Sequence, residues 1–304
     1  MRLAHTEDQA LFVAALDAIL ADSVSGFRAV PGWGRWEYGT ALDAMLDQNG
    51  FFEAAREPTL GAVAAVELVM RLAARPVAVE GAASALLRPL LGVDLPRPLA
   101  VIDGNPGVVR FAPQARAVLW LGETLRAARL PEGAAIPGET IFAWPVGAID
   151  PARLDWHETG ADAVRARTLW QLGQAAELVG SLTGGLETVL AHVRDRQQFG
   201  RPLGAFQGVQ HRLAAGAVQM DAARWLVLKA AATGAATDTL LALGQAQRAA
   251  GQMLYDLHQF MGAMGLTLEH PLHRFTYRAK MLRSVGGGAA GQMRAFADHR
   301  WGMA

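Results

Sequence analysis

Residues 194–210 read RDRQQFGRPLGAFQGVQ. The stretch sits between two segments of helical periodicity. Upstream, over 163–193, Leu169, Leu172, Ala176, Val179, Leu182, Leu186, Val189 and Val193 recur at three- and four-residue steps, which puts them on one apolar helix face. Downstream, 207–233 repeats the pattern through Val209, Leu213, Met220 and Val227. Residues 237–261 repeat it again through Leu240, Leu243, Leu254, Leu257 and Met261. A shorter helix is expected after Pro271. Three long amphipathic helices and a short one predict a C-terminal four-helix bundle over 159–304. Within it, residues 259–271 read QFMGAMGLTLEHP.

Working back along the chain, the texture changes at Pro96. Segments 99–103 (LAVID), 107–111 (GVVRF), 116–121 (RAVLWL) and 140–146 (TIFAWPV) are short, apolar and separated by Gly, Pro and Asp. They predict a small β-domain over 96–158. Pro145 weakens the last strand or puts it at an edge. Residues 1–95 read as helical: 6–22, 38–49, 58–75 and 82–92, with Pro31-Gly32-Trp33-Gly34 breaking the first pair. Thr6 is placed to cap the first helix, and Gln9 to close a capping box with it. The expected fold is therefore mostly α with a small central β-domain.

Composition narrows the function classes. Lys+Arg and Asp+Glu both number 28, so there is no bulk attraction for nucleic acid or an anionic membrane surface. With no Cys, a thiolate nucleophile and a Cys-ligated metal are excluded. The eight His show no pair at metal-ligand spacing. Glu7 and Asp8 stand where the apolar run of a signal peptide would begin, and no apolar stretch reaches ~18 residues, so a cytoplasmic protein without a membrane span is expected.

The stretch 194–210 resembles the acyl-CoA dehydrogenase signature R-x-Q-F-G-x-P-x-x-x-F-Q-x-x-Q, and 259–271 resembles that family's Q-x-x-G-G-x-G-x-x-x-E-x-P. The helix–β–helix order also fits the family. The resemblance implies FAD, shared across a subunit interface, and an acyl-CoA thioester as substrate. By it, Arg196 reaches the flavin pyrophosphate, with Phe199 beside it, and Gln207 contacts the FAD. Gln259 holds the adenosine half of a neighbour's FAD, and Gly262 and Gly265 let backbone approach it. Read without the family, Arg196 pairs with Asp195 or caps a helix. On the same reading Gln207 is a solvated helix residue, Gly262 is a helix C-cap, and Phe199 is core.

The family's reaction needs a carboxylate over the thioester α-carbon. Its usual place is the Glu of Y-E-G-T, after an R-x-A-K stretch matched here by Arg278-Ala279-Lys280. Reading on, that place falls on Gly286. The alternative place, counted back from Phe199-Gly200, falls on Trp170, with Gln171 beside it. The family's T-E-P-x-A-G-S-D is also missing from 96–158, a segment too short for the family's full barrel. The resemblance thus implies a subunit of a hetero-oligomeric acyl-CoA dehydrogenase, of lipid or steroid breakdown, whose partner carries the base. Two alternatives stay open: an active homo-oligomeric enzyme with a base displaced to Glu177, Asp162 or Glu269, and a non-catalytic interaction protein on the same fold.

Overall fold

The computed structural model describes residues 4–23 and 34–302. Three helices come first: α1 (Glu7–Ser23), α2 (Thr40–Gln48) and α3 (Gly61–Ala73). Thr6 and Gln9 form the expected reciprocal cap, with each backbone N–H donating to the other's side chain at 3.1 and 3.3 Å. The break expected at Pro31-Gly32-Trp33 lies outside the described residues. The segment expected to be helical over 82–92 is a π-helical turn, Ala83–Leu87, followed by a 3-10 turn, Arg88–Leu90. Pro89 has no N–H to continue an α-helical ladder there.

Two small sheets follow. In one, β1 (Leu99–Ile102), β3 (Ala117–Leu121), β4 (Leu125–Arg129) and β7 (His157–Glu158) lie in the order β1-β3-β4-β7, with β1 and β3 parallel. In the other, β2 (Val109–Arg110), β6 (Val146–Ile149) and β5 (Ala135–Gly138) lie in the order β2-β6-β5. The last strand was expected over 140–146. It begins instead just after Pro145, which cannot donate to a ladder but whose carbonyl accepts from the Phe111 N–H at 2.7 Å. The sheet's alternation divides the core. Ala117, Leu119 and Leu121 of β3 join the helical core, whereas Val118 joins a second cluster with Ile102, Val109 and Ile149. Buried Glu80 ties this sheet to the helices, accepting from the N–H groups of Ala83 at 2.8 Å and Leu99 at 3.4 Å.

The C-terminal helices are α4 (Ala163–Asp195), α5 (Gln207–Thr233), α6 (Ala236–Met261), α7 (Leu272–Leu282) and α8 (Gly288–Trp301). A short hairpin of β8 (Gln197–Gln198) and β9 (Arg201–Pro202) links α4 to α5. Helix α8 lies in the stretch expected to be helical to the end, but no separate helix was expected after the one that follows Pro271. Gln292 is its one buried residue, so the sequence carries no apolar stripe to announce it. Helix α4 spans 33 residues and forms the spine of the molecule, packed by α3, α5, α6 and α7. Its glycines permit this. A methyl group on Gly180 would overlap the Met70 carbonyl of α3, and one on Gly173 would stand 2.9 Å from the Ala82 Cβ.

Candidate functional site

Helix α4, the end of β1, and the glycine turn before α8 meet at a cavity of about 420 Å³. Trp170 and Gly286 both line it, although they lie far apart in sequence. Gly286 to Gly288 all have positive φ, at 59°, 80° and 65°. A side chain at Gly286 would overlap the Gln292 amide nitrogen, which donates to the Gly286 carbonyl at 3.1 Å. Gln247 donates to the Val285 carbonyl at 3.0 Å from the other side. The turn is therefore pinned by two buried amides, and a side chain at Gly286 would have to displace the Gln292 amide. Gly286→Glu alone is expected to lower stability by about 1–2 kcal/mol through its left-handed φ and to add no activity. Thermal melting and a dehydrogenase assay check both parts.

One carboxylate lines the cavity, Asp103, at the carboxyl end of β1. It is held by Arg167 at 3.4 Å, which also donates to the carbonyls of Leu121 and Gly122 at 3.2 Å. Sequence reasoning passed over Asp103; its signal was an acid closing the apolar run LAVID before the GNPG turn. The displaced-base candidates lie elsewhere. Asp162 is the N-cap of α4, accepting from Val164 at 2.8 Å and Arg165 at 3.2 Å. Glu177 pairs with Arg110 at 2.7 Å, both side chains being about nine-tenths buried. Neither Glu177 nor Glu269 lines the cavity.

Arg110, which does line it, lies between the rings of Trp144 and Trp170, at 4.6 and 5.2 Å from their centroids. Behind Glu177 stands Arg278, which donates to the carbonyls of Ala143 at 3.2 Å and Arg75 at 3.0 Å. Burial pushes the Arg278 pKa down to about 9; Arg274 and Arg110 add to the fall and Glu177 opposes it. It remains charged at neutral pH.

Residues 168–299 match the family model described as acyl-CoA dehydrogenase, C-terminal domain. These residues are an acyl-CoA dehydrogenase C-terminal domain. A 3-sulfinopropanoyl-CoA desulfinase of Paraburkholderia xenovorans is 36% identical over 133 residues, 42% of this chain and 34% of that protein. The acyl-CoA dehydrogenase FadE27 of Mycobacterium tuberculosis is 33% identical over 146 residues, 43% of this chain and 39% of that one. The chain thus spans well under half the length of these relatives. A chain of the ChsE4-ChsE5 complex from M. tuberculosis superposes with a TM-score of 0.73 at 24% identity, covering 98% of both chains. The whole chain therefore has the acyl-CoA dehydrogenase fold.

Within that fold the expected cofactor residues fall into two groups that do not share a pocket. Arg196 is the C-cap residue of α4 and is exposed, as the family-free reading allowed. Gln207, the first residue of α5, is also exposed. Phe199 was expected in the core and is 88% exposed. Phe199 and Gly200 form the two-residue turn of the β8–β9 hairpin, both at positive φ (55° and 77°), which tips the ring outward. Its edge meets Phe206 at 6.1 Å. Gln259 and Gly262 line a separate open cleft of about 560 Å³ with Tyr255, Tyr277, Lys280 and Arg283. Gly262 is also the C-cap of α6, at φ 67°. Gly265 is buried, with no room for a methyl group against Leu272.

Among the described residues no group of His, Asp and Glu could hold a metal ion, and no helix is long and apolar enough to cross a membrane.

Proposed function

We propose that this chain is an acyl-CoA dehydrogenase-like, FAD-binding subunit without a base of its own. It acts in α,β-dehydrogenation of an acyl-CoA thioester beside a partner subunit that carries the carboxylate. One observation carries the reading. Both positions where the family keeps its base line a single cavity, and they hold a glycine and a tryptophan. A side chain at Gly286 would have to displace the Gln292 amide, and Glu177 and Asp162 are committed to an ion pair and a helix cap.

The chain's surface suits FAD. The cleft at Gln259 and Gly262 offers two tyrosine rings for an adenine, and Lys280 and Arg283 for a pyrophosphate, with no carboxylate in its lining. Arg196, Phe199 and Gln207 are exposed on another element, where a neighbouring subunit's cofactor can be met. Bound FAD would accept the hydride leaving the β-carbon. The names of the relatives span a dehydrogenase and a desulfinase, so the domain alone fixes neither reaction.

A self-sufficient enzyme is favoured by one observation, the presence of Asp103 in the cavity. Its pairing with Arg167, which two carbonyls also anchor, argues against a free base. An interaction protein without flavin would leave the basic cleft unexplained.

The test is a flavin absorbance spectrum of the chain alone and co-expressed with a paralogue carrying Y-E-G-T. The chain alone is expected to be colourless and inactive, and the complex yellow and active. In that complex Arg196→Ala is expected to cut flavin content at least ~10-fold, the scale of a lost charge-assisted contact to phosphate. Unchanged flavin content would remove the role assigned to Arg196.

A further inference from the structure

We propose that Arg110 and Trp170 form an anion-binding floor in the cavity beside Gly286, built to take a carboxylate group of a small ligand. The inference needs neither bound flavin nor a catalytic cavity.

Three observations carry it. First, Arg110 lines the cavity, and its one protein hydrogen bond among the described residues runs from Nη1 to Glu177 at 2.7 Å. Its Nε–H and Nη2–H groups have no partner there, although the side chain is only 10% exposed. A guanidinium presents five donors in a fixed planar fork, so a half-used one at a cavity wall has an open edge.

Second, the Trp170 indole N–H is buried without a partner. Trp170 is itself 7% exposed, lines the same cavity, and has its ring centroid 5.2 Å from the Arg110 guanidinium. Buried donors are nearly always satisfied, so the orphan N–H of a ring packed on Arg110 is a second unmet donor next to the half-used guanidinium.

Third, the charges do not balance. Two guanidiniums, Arg110 and Arg278, surround one carboxylate, Glu177, and Arg278 has only backbone carbonyls as hydrogen-bond acceptors. A largely buried cluster with more guanidinium than carboxylate favours an anion that joins it.

The other cation in the lining does not compete. Arg167 is occupied by Asp103 and two carbonyls. Asp103 also repels an anion from its own side, which leaves the Arg110 side for the carboxylate. Two oxygens in a plane match one guanidinium edge, whereas a tetrahedral phosphate would ask for more donors than stand here.

The probe is sodium succinate, titrated into the full chain at fixed ionic strength and followed by tryptophan fluorescence and calorimetry; succinamide serves as its neutral counterpart. Trp144 flanks Arg110 at 4.6 Å and remains as a reporter when Trp170 is changed. Succinate is expected to saturate the signal and succinamide to bind at least ~10-fold more weakly, the scale of one charge-assisted hydrogen bond. Arg110→Gln is expected to abolish the preference. Because that variant also strips Glu177 of its partner, Trp170→Phe is the second test. It keeps the ring and the ion pair, and is expected to weaken succinate by roughly three- to tenfold through the lost N–H alone. Absence of saturable succinate binding, equal binding of succinamide, or unchanged binding in both variants overturns the proposal. A succinate result of either kind leaves the flavin spectrum of the complex to judge the subunit reading separately.

Discussion

Glu177→Ala is expected to destabilise the chain by about 3–5 kcal/mol, the range for removing one partner of a buried ion pair. Glu177 lies on α4, against which α3, α5, α6 and α7 pack, and its side chain is 8% exposed. Its removal leaves Arg110 and Arg278 facing each other in the core with no carboxylate between them. Arg278 already has its pKa lowered by burial and by neighbouring arginines, and Glu177 is the group opposing that fall. Urea unfolding checks the size of the loss. A change below about 1 kcal/mol would mean that the pair is solvated, as surface pairs are. Replacing Arg110 and Glu177 together by leucine is expected to recover only part of the loss, because the Arg110 charge goes but Arg278 is still left without a carboxylate.

Gly180→Ala is the second large effect. The added methyl would overlap the Met70 carbonyl oxygen and stand 2.8 Å from the Ala73 Cβ. Both obstacles are backbone or short side chain on α3, so neither can swing away and one helix must move. Overpacking of this kind costs about 1–3 kcal/mol and more where backbone is the obstacle; about 3 kcal/mol or above is expected. Gly251→Ala on α6 supplies the opposite sign. Nothing lies within 4 Å of its added methyl, so the variant is expected to gain roughly 0.5–1 kcal/mol from helix propensity. Melting curves of the two variants, moving in opposite directions, separate close packing from propensity.

Much of the fold was legible because its elements are repetitive. Leu172, Val179, Leu182, Leu186 and Val189 recur with the helical period and are buried on α4. Thr6 and Gln9 cap α1 as their spacing implies. Strands β4 and β5 were missed because Leu125–Arg129 alternates around two arginines and Ala135–Gly138 ends in Pro and Gly. Phe199 misled because hydrophobicity argues for burial, while the two-residue turn that exposes it is a property of backbone angles.

The site was legible in part. Counting along two motifs reached Gly286 and Trp170, and the structure brings these into one cavity. The residues that give that cavity its charge escaped notice. Asp103, Arg110 and Arg167 come from three separate segments and share no spacing, so only the tertiary fold assembles them. Gln292 escaped for the same reason: its amide reaches the Gly286 turn from α8, a helix without an apolar stripe to set its facing.

The central claim is that no group of this polypeptide removes a proton from a thioester's α-carbon. Proton exchange measures that step without requiring hydride transfer or an electron acceptor. The purified chain, supplied with FAD and butanoyl-CoA in deuterated water, is predicted to leave the α-protons in place by NMR, while the complex with a base-bearing partner exchanges them. Turnover-scale deuterium incorporation by the isolated chain would contradict the account, and its loss in Asp103→Asn would identify the base.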